Sequence, residues 1–261
     1  MARVDVVYPP ASVVARGVFR GLGLRIEVTG THRVPTLGPV VLASNHVSFL
    51  DFTLVALAAH PRRVRFLARH EVFAHWAAGP FMRGMHHVSV DRAAPAAAYL
   101  TAQRLLVHGE AVGIFPEGGI SQAYDVRALL PGAVALASAT GAPLLPVAIW
   151  GPQRIATARR PVDLRRGRPV SIAVGEPILV DPGADVTAGT VDLGRRLQAM
   201  LDRLQAQPRH QPRPGEDAPW HPAHLGGSAP TRAEAEPRES APGHPVRWWE
   251  QAAAGPRSRR R

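Results

Sequence analysis

Short apolar runs alternate with helical patterns along residues 1–205, and this alternation constrains the fold more than any other feature of the chain. Short apolar runs bounded by Gly, Pro or charged residues are typical of buried strands, whereas a longer 3.6-residue period is typical of helices. Their alternation predicts an α/β domain with a largely parallel or mixed sheet flanked by helices. The predicted strands are 24–28, 40–43, 64–67, 88–90, 111–115, 144–150 and 170–174, and the predicted helices are 49–59, 94–107, 132–140 and 190–205.

The composition changes near residue 205. Residues 206–261 contain 10 of the 26 prolines, and their only aliphatic side chains larger than Ala are Leu225 and Val246. Such a segment buries too little apolar surface to offset the entropy that it would lose on ordering. We therefore predict one domain over residues 1–205 and a Pro/Arg-rich disordered tail over residues 206–261.

Composition also restricts the chemistry. The chain has no cysteine, which excludes disulfides, cysteine-ligated metals and cysteine nucleophiles. Its 31 basic residues, all Arg, against 20 acidic ones give a net charge of +11, which favours phosphates, nucleic acid or an acidic membrane surface as partners. Aromatic residues are only 6% and no nucleic-acid recognition motif is present, so we predict no nucleic-acid partner. We also predict no metal site, because His86 and His87 would alternate across a strand.

Neither a signal peptide nor a membrane span is predicted. Residues 1–10 contain Arg3 and Asp5, and no apolar core of sufficient length follows them. The longest uncharged run, residues 128–153, contains four prolines. In lipid, the backbone groups that these prolines leave unpaired would be too costly. The sequence therefore favours a soluble or peripheral protein.

His46 and Asp51 lie where a predicted strand leads through a loop into a helix. On one continuous helix, five residues would leave the two side chains about 140° apart and unable to pair. If His46 lies in the loop and Asp51 in the first helical turn, the carboxylate can orient the imidazole, which can then take a proton from a substrate hydroxyl. The same spacing fits a plain helix cap at Asp51, with Ser48 as candidate N-cap and His46 as a surface residue.

Two more groups of residues stand at the ends of predicted strands. Arg92 can hold a phosphate through two hydrogen bonds, although a surface pair with Asp91 is the alternative. Glu117 and Gly118 belong to the turn sequence Pro-Glu-Gly-Gly, whose glycines permit a ligand to approach the backbone closely. Glu117 can bond a polyol hydroxyl or an arginine, and a solvated turn is the alternative.

Four motifs follow one another in a fixed order: Asn45-His46 with Asp51, Gly84 with Asp91-Arg92, Phe115-Pro116-Glu117-Gly118, and the strand Pro143-x-x-Pro146-Val147. Their order and spacing resemble those of the glycerolipid acyltransferase family, the family of the 1-acyl-glycerol-3-phosphate acyltransferases. The resemblance spans roughly residues 35–175, and the first and third motifs are the specific ones.

The resemblance implies an enzyme of phospholipid biosynthesis that transfers a fatty acyl group from coenzyme A or acyl carrier protein to the hydroxyl of a lysophospholipid, with 1-acyl-glycerol-3-phosphate as the favoured acceptor. It implies His46 as general base and Asp51 as its orienting partner. By the same matching, Arg92 resembles the phosphate ligand, and Glu117 with Gly118 the acceptor site. Transfer is direct, without a covalent acyl-enzyme, and the thioester is a co-substrate, so no cofactor is expected.

The motifs also depart from the family pattern. The family often continues Glu-Gly-Thr-Arg, whereas Gly119 and Ile120 follow here. A basic residue often stands where Leu130 is found, and Arg127 is the nearest basic alternative. These departures leave open another phosphorylated or glycosylated lipid acceptor, or a lipid-binding protein without turnover on the same fold.

A lipid product requires contact with a bilayer. Residues 8–25 combine valines and leucines with Arg16, Arg20 and Arg25, as a basic amphipathic helix at a membrane interface would. Six arginines between residues 154 and 168 are opposed only by Asp163, and could attract anionic headgroups or the phosphates of coenzyme A. A first helix packed on the sheet and a solvated loop are the alternatives. We predict a peripheral protein on an anionic membrane, at its cytoplasmic face.

Overall fold

The structure, a computed structural model, describes residues 5–239 and 243–253. Its centre is a seven-stranded sheet with the strand order β1-β7-β6-β2-β5-β3-β4. Strands β6, β2, β5, β3 and β4 are mutually parallel, whereas β7 pairs antiparallel with β6 and parallel with β1. The strands are β1 (Arg25–Thr29), β2 (Val40–Ser44), β3 (Val64–Arg69), β4 (Val88–Val90), β5 (Ala111–Ile114), β6 (Leu144–Trp150) and β7 (Pro169–Val174).

Helices cover both faces of this sheet. The helices are α1 (Tyr8–Gly21), α2 (Asp51–Ala58), α3 (His70–Ala74), α4 (Ala78–Gly84), α5 (Pro95–Val107), α6 (Gly132–Thr140), α7 (Val186–Gln205), α8 (Arg232–Ala235) and α9 (Trp248–Ala253). The predicted mixed α/β sheet flanked by helices is thus confirmed, as is the position of every predicted strand to within two residues at either end.

Strand β2 shows why the sheet lies between two helical layers. Successive side chains of a strand point to opposite faces, so a continuous apolar run must be buried on both. Val41 and Ala43 pack on the side of α5, α6 and α7. Val40 and Leu42 pack on the other side, where Leu54 of α2 lies. All five residues of β2 are buried. The end of β2, and with it the start of the loop that follows, is therefore held in place by the core.

Helix α7 and residues 70–84 differ from the prediction. Helix α7 begins at Val186 rather than at residue 190, because the carboxylate of Asp185 accepts the N–H groups of Thr187 and Ala188 and so caps the helix. Residues 70–84 form the short helices α3 and α4, for which the sequence shows no clear period.

Much of the predicted disordered tail packs on the body of the protein. Residues 206–239 and 243–253 form short helices and turns, and Trp220 and Trp248 lie in the core beside α7. The aliphatic composition of this segment leaves out the area that two tryptophans bury, and each large ring can anchor a proline-rich segment. Residues 240–242 and 254–261 of the predicted tail lie outside the described residues, and the domain boundary at residue 205 stays a prediction.

Candidate active site

The predicted site residues gather at one edge of the sheet. The carboxyl ends of the five mutually parallel strands meet there, and ligands bind at this edge in open α/β sheets. The loop after β2 carries His46, the loop after β4 carries Arg92, and the loop after β5 carries Glu117 and Gly118. Because β2, β5, β3 and β4 are consecutive neighbours in the sheet, these loops lie side by side.

His46 and Asp51 form the predicted pair. The imidazole Nδ1 lies 2.8 Å from Asp51 Oδ2. The same carboxylate oxygen accepts the backbone N–H groups of Val47 at 2.7 Å and Ser48 at 2.8 Å. Asp51 is fully buried, whereas the side chain of His46 is 20% exposed. The second ring nitrogen, Nε2, has no hydrogen-bond partner among the described residues and is free to meet a substrate.

The loop geometry explains why the pair can form. Helix α2 begins at Asp51 rather than at the predicted residue 49, which leaves His46 outside the helix. Ser48 Oγ accepts the N–H of Leu50 at 3.1 Å and donates to the carbonyl of Ala156 at 2.6 Å. This hydroxyl is fully buried and holds the turn closed.

Aromatic contacts fix the orientation of the imidazole ring. His46 stacks on Phe115, with ring centroids 4.3 Å apart, and Phe115 stacks on Phe66 at 5.9 Å. The imidazole is thus held on one face by the end of β5 and on Nδ1 by Asp51. A ring held at two points keeps Nε2 in one direction, as a general base requires.

Glu117 joins the β2 and β5 loops from inside the protein. One of its carboxylate oxygens accepts the N–H of His46 at 2.6 Å, and the other accepts the N–H of Arg127 at 3.1 Å. The side chain is fully buried. Both oxygens are therefore occupied within the protein, which differs from the predicted direct contact of Glu117 with an acceptor.

Burial also governs the charge of Glu117. It raises the pKa of Glu117 to about 8, against the opposing effects of the Arg127 charge and of the two N–H donors. A carboxyl group in this position links backbone segments, and its protonation state responds to the charges around Arg127.

Arg92 and Arg69 converge on the turn after β5. Gly118 has a φ of 66°, a backbone conformation that favours glycine, and its carbonyl accepts from two arginine side chains. Arg92 donates to this carbonyl at 2.9 Å and Arg69 donates to it at 3.1 Å. Neither guanidinium forms an ion pair among the described residues. Partial burial, with the positive charges of Arg92 and Arg127, lowers the pKa of Arg69, the sign of a concentrated positive field.

Sequence reasoning missed Arg69. It is the last residue of β3, and β3 lies between β5 and β4 in the sheet. A signal was available, since the predicted strand 64–67 ends two residues before Arg69. Only the strand order, which a single sequence does not contain, brings Arg69 beside Arg92.

Among the residues that the structure describes, no group of three or more His, Asp or Glu side chains could hold a metal ion. The site therefore offers a His–Asp pair, a buried carboxyl group that braces it, and two arginines without carboxylate partners in the described chain. This set can remove a proton from a hydroxyl group beside a bound phosphate.

Comparisons with known proteins agree with this chemistry. Residues 25–150 match the family model named Acyltransferase. A 1-acyl-sn-glycerol-3-phosphate acyltransferase of Bacillus subtilis is 29% identical over 59% of this chain and 73% of its own length. Its counterpart in Borreliella burgdorferi is 28% identical over 49% of this chain and 52% of its own length, and the alpha form in Homo sapiens is 31% identical over 48% and 45%. The chain thus spans only about half the length of these last two relatives.

The fold has a solved counterpart. The crystal structure of the 1-acyl-sn-glycerophosphate acyltransferase from Thermotoga maritima superposes with a TM-score of 0.67 at 21% identity, over 76% of this chain and 80% of that one. Fold, family match and the His–Asp site together define an acyltransferase. The chain belongs to the glycerolipid acyltransferase family, that of the 1-acyl-glycerol-3-phosphate acyltransferases.

Proposed function

We propose that the protein transfers a fatty acyl group from a thioester of coenzyme A or acyl carrier protein to the hydroxyl of 1-acyl-glycerol-3-phosphate, as a step of phospholipid biosynthesis. The observation that carries the proposal is the His46–Asp51 pair beside two arginines that converge on Gly118. The named relatives support the choice of acceptor, because they act on that lysophospholipid.

The proposed reaction is a direct transfer. Nε2 of His46 takes the proton of the acceptor hydroxyl while that oxygen attacks the thioester carbonyl carbon. The tetrahedral intermediate collapses, the carbon–sulfur bond breaks, and the thiolate receives the proton from the imidazolium. Asp51 stabilises the imidazolium that forms in between. These steps balance with the two substrates and His46, so the proposal includes no cofactor.

Arg92 and Arg69 are the proposed ligands of the acceptor phosphate. A phosphate that binds to both guanidiniums would receive charge-assisted hydrogen bonds, which are about twice as strong as neutral ones. The carbonyl of Gly118 holds both side chains in place before a substrate arrives. In this proposal Glu117 does not touch the substrate. It positions the site by accepting the backbone N–H groups of His46 and Arg127.

The loop between β6 and β7 is the proposed contact for the donor. It packs on the loop between β2 and α2 that carries His46, since Thr157 Oγ1 donates to the carbonyl of Val47 at 2.7 Å. Of its six arginines, Arg154 stacks on Trp220, while Arg165 and Arg168 pair with Asp163. The remaining three have no ion pair among the described residues; they are Arg159, Arg160 and Arg166. Their positive charges suit the phosphates of coenzyme A or the acidic surface of a carrier protein.

Helix α1 is the proposed membrane contact. Tyr8 and Ala11 pack against the protein, whereas Val13, Val14 and Val18 are 51–67% exposed on the outer face. Among the described residues, no helix has the length and apolar character needed to cross a bilayer. An apolar stripe flanked by arginines is typical of a helix that lies in the interface of an anionic membrane. We therefore propose peripheral binding, at the cytoplasmic face.

An acyl-transfer assay tests the function. The purified protein is incubated with labelled acyl-coenzyme A or acyl carrier protein and with a series of lysophospholipids, and the lipid products are separated. We expect a labelled diacyl product with 1-acyl-glycerol-3-phosphate that is lost in His46→Ala. Absence of product with every donor and acceptor, from protein that still binds lysolipid, would instead support a lipid-binding protein without turnover.

A second acceptor is favoured by one observation. Gly119 and Ile120 replace the Thr-Arg that often follows Glu-Gly in the family, so one expected guanidinium is missing from this turn. An acceptor with a smaller demand for positive charge, such as another phosphorylated or a glycosylated lipid, suits this change. A higher kcat/KM with such an acceptor than with 1-acyl-glycerol-3-phosphate would identify it.

A further inference from the structure

The C-terminal part of the chain grips the loop that holds Glu117. We call residues 236–239 and 243–249 the clamp and residues 116–130 the Glu117 loop. Glu239 forms an ion pair with Arg127, with Oε2 at 2.7 Å from Nε. The carbonyl of Glu239 accepts from Arg127 Nη2 at 2.8 Å, and its Oε1 accepts the N–H of Gln122 at 2.5 Å. Both charged side chains are at most 10% exposed.

The clamp also holds the backbone of the Glu117 loop. Val246 and Leu129 exchange two backbone hydrogen bonds, of 2.7 and 3.0 Å, in an isolated antiparallel bridge. The indole N–H of Trp248 donates to the carbonyl of Arg127 at 3.1 Å. Trp248 itself lies so close to Gly194 of α7 that a Cβ on this glycine would come within 2.3 Å of the indole. The grip is therefore anchored in the core.

A short chain of contacts connects the clamp to the general base. Arg127 is held through its guanidinium and its carbonyl, and its N–H donates to Glu117. Glu117 in turn accepts the N–H of His46. A second hydrogen bond joins the Glu117 loop to His46, because the N–H of Ser121 donates to the carbonyl of His46 at 2.8 Å. Both backbone polar groups of His46 are thus fixed by the loop that the clamp grips.

Arg127 also lies against the proposed phosphate site. A Cβ on Gly119 would come within 2.9 Å of Arg127 Nη1 and 3.0 Å of Arg69 Nη2, so both guanidiniums flank the same glycine. Glu239 neutralises Arg127, whereas Arg69 and Arg92 have no ion pair among the described residues. The ion pair with Glu239 therefore keeps Arg127 bound within the Glu117 loop, whereas Arg69 and Arg92 stay available to bind the substrate phosphate.

We propose that Glu239 and Trp248 are positioning residues that act through Arg127 and Glu117 to keep His46 in its catalytic orientation. The clamp lies outside residues 25–150, over which the family match extends. The kinetic test rests on the proposed acyl transfer, whereas hydrogen exchange needs no activity.

Kinetics of Glu239→Ala provide the first test. Removal of one partner of a buried ion pair leaves Arg127 unpaired and loosens the loop. Small displacements of a catalytic group are costly, so we expect kcat to fall roughly 10–100-fold. The KM for the acceptor should change by less than about threefold, since Arg69 and Arg92 are untouched. Glu239→Asp should recover part of kcat. A normal kcat, or a loss confined to KM, would overturn the proposal.

Two further variants separate positioning from general stability. Asp192→Ala is the matched control, because Asp192 of α7 also pairs with an arginine, Arg196, but is 45% exposed and does not contact Arg127; its kcat should equal that of the native protein. Trp248→Phe keeps a smaller ring against Gly194 and removes the N–H donor, and we expect a kcat loss smaller than that of Glu239→Ala. A Glu239→Ala, Arg127→Ala double variant should be no slower than Arg127→Ala alone. Additive losses would contradict an action through Arg127.

Amide hydrogen exchange gives a readout without turnover. In the native full chain, the peptide that contains His46 should exchange slowly, because its N–H is bonded to Glu117. In Glu239→Ala, we expect exchange at His46 and Arg127 to accelerate at least tenfold while β6 and α7 keep their protection. Unchanged exchange at His46 would overturn the proposal even if the native protein showed no acyl transfer with any substrate.

Discussion

The imidazole Nδ1 of His46 and the N–H groups of the next two residues all bond to one oxygen of Asp51, Oδ2, while Oδ1 is buried and has no partner among the described residues. One atom therefore orients the ring and closes the turn that carries it. An Asn at position 51 can keep all three hydrogen bonds by placing its carbonyl oxygen at the same point. Such a variant separates the charge of the carboxylate from its geometry.

We expect His46→Ala to lower kcat about 10²–10⁴-fold, the usual contribution of a general base. Asp51→Asn should lose less, on the order of 10–100-fold, because the ring keeps its tautomer and loses only the charge that stabilises the imidazolium. Steady-state acyl-transfer rates give the comparison. His32→Ala, an exposed histidine after β1 at the opposite edge of the sheet, is the matched control. Equal losses of kcat in His46→Ala and Asp51→Asn would contradict the expectation that Asp51→Asn removes only the charge and keeps the hydrogen-bond geometry.

Arg69→Ala should raise the KM for the acceptor as strongly as Arg92→Ala does. Each change removes a charge-assisted hydrogen bond, so we expect roughly a 10–100-fold rise in KM with a smaller change in kcat. Acceptor titrations at low and high salt measure the effect, which should shrink as salt screens the charges. Arg104→Ala, on the exposed face of α5, should leave KM unchanged. An unaltered KM in Arg69→Ala would exclude Arg69 from the site.

Much of the fold could be predicted because its strands are short apolar runs that are buried on both faces. The His46–Asp51 contact could also be predicted, since both residues lie within one loop–helix unit and local spacing decides whether they meet. Helix α7 had a visible period, and only its cap at Asp185 was missed.

The remaining features depend on contacts between distant parts of the chain. Arg69 joins Arg92 only through the strand order, and Glu117 is buried only because the Glu117 loop folds over it. The packing of Trp220 and Trp248 follows from two single residues in a segment whose average composition favours disorder. Composition describes the segment as a whole, whereas burial is decided at individual side chains.

Membrane binding should depend on the exposed face of α1. Replacement of both Val13 and Val14 by Asp removes apolar area and adds negative charge, so we expect affinity for vesicles that contain phosphatidylglycerol to fall tenfold or more. Vesicle sedimentation measures binding, and activity on detergent-dispersed substrate should persist. The control is Val107→Asp, since Val107 is 72% exposed at the end of α5, away from α1. Equal binding by all three proteins would rule out α1 as the membrane contact.

Acid should destabilise the protein through His87. This buried imidazole accepts the N–H of Phe66 through Nδ1, and its Nε2 has no partner among the described residues. Burial, with the positive charges of Arg65 and His86, lowers the pKa of His87 to about 4, whereas the unfolded value is about 6.5. Between these values only the unfolded chain binds the proton. The stability contributed by neutral His87 is therefore complete above pH 6.5 and is lost as the pH falls towards 4, by about 1.4 kcal/mol per pH unit.

His87→Asn keeps an acceptor for Phe66 and cannot titrate. We measure the free energy of unfolding by urea titration from pH 8 down to pH 4. In the native protein it should fall with pH more steeply than in His87→Asn, and the two slopes should differ by about 1.4 kcal/mol per pH unit. His210, whose pKa burial lowers to about 3, keeps its own acid dependence in both proteins. The exposed-site variant His32→Asn should follow the native curve. Parallel curves for His87→Asn and the native protein would show that His87 is not the titrating group.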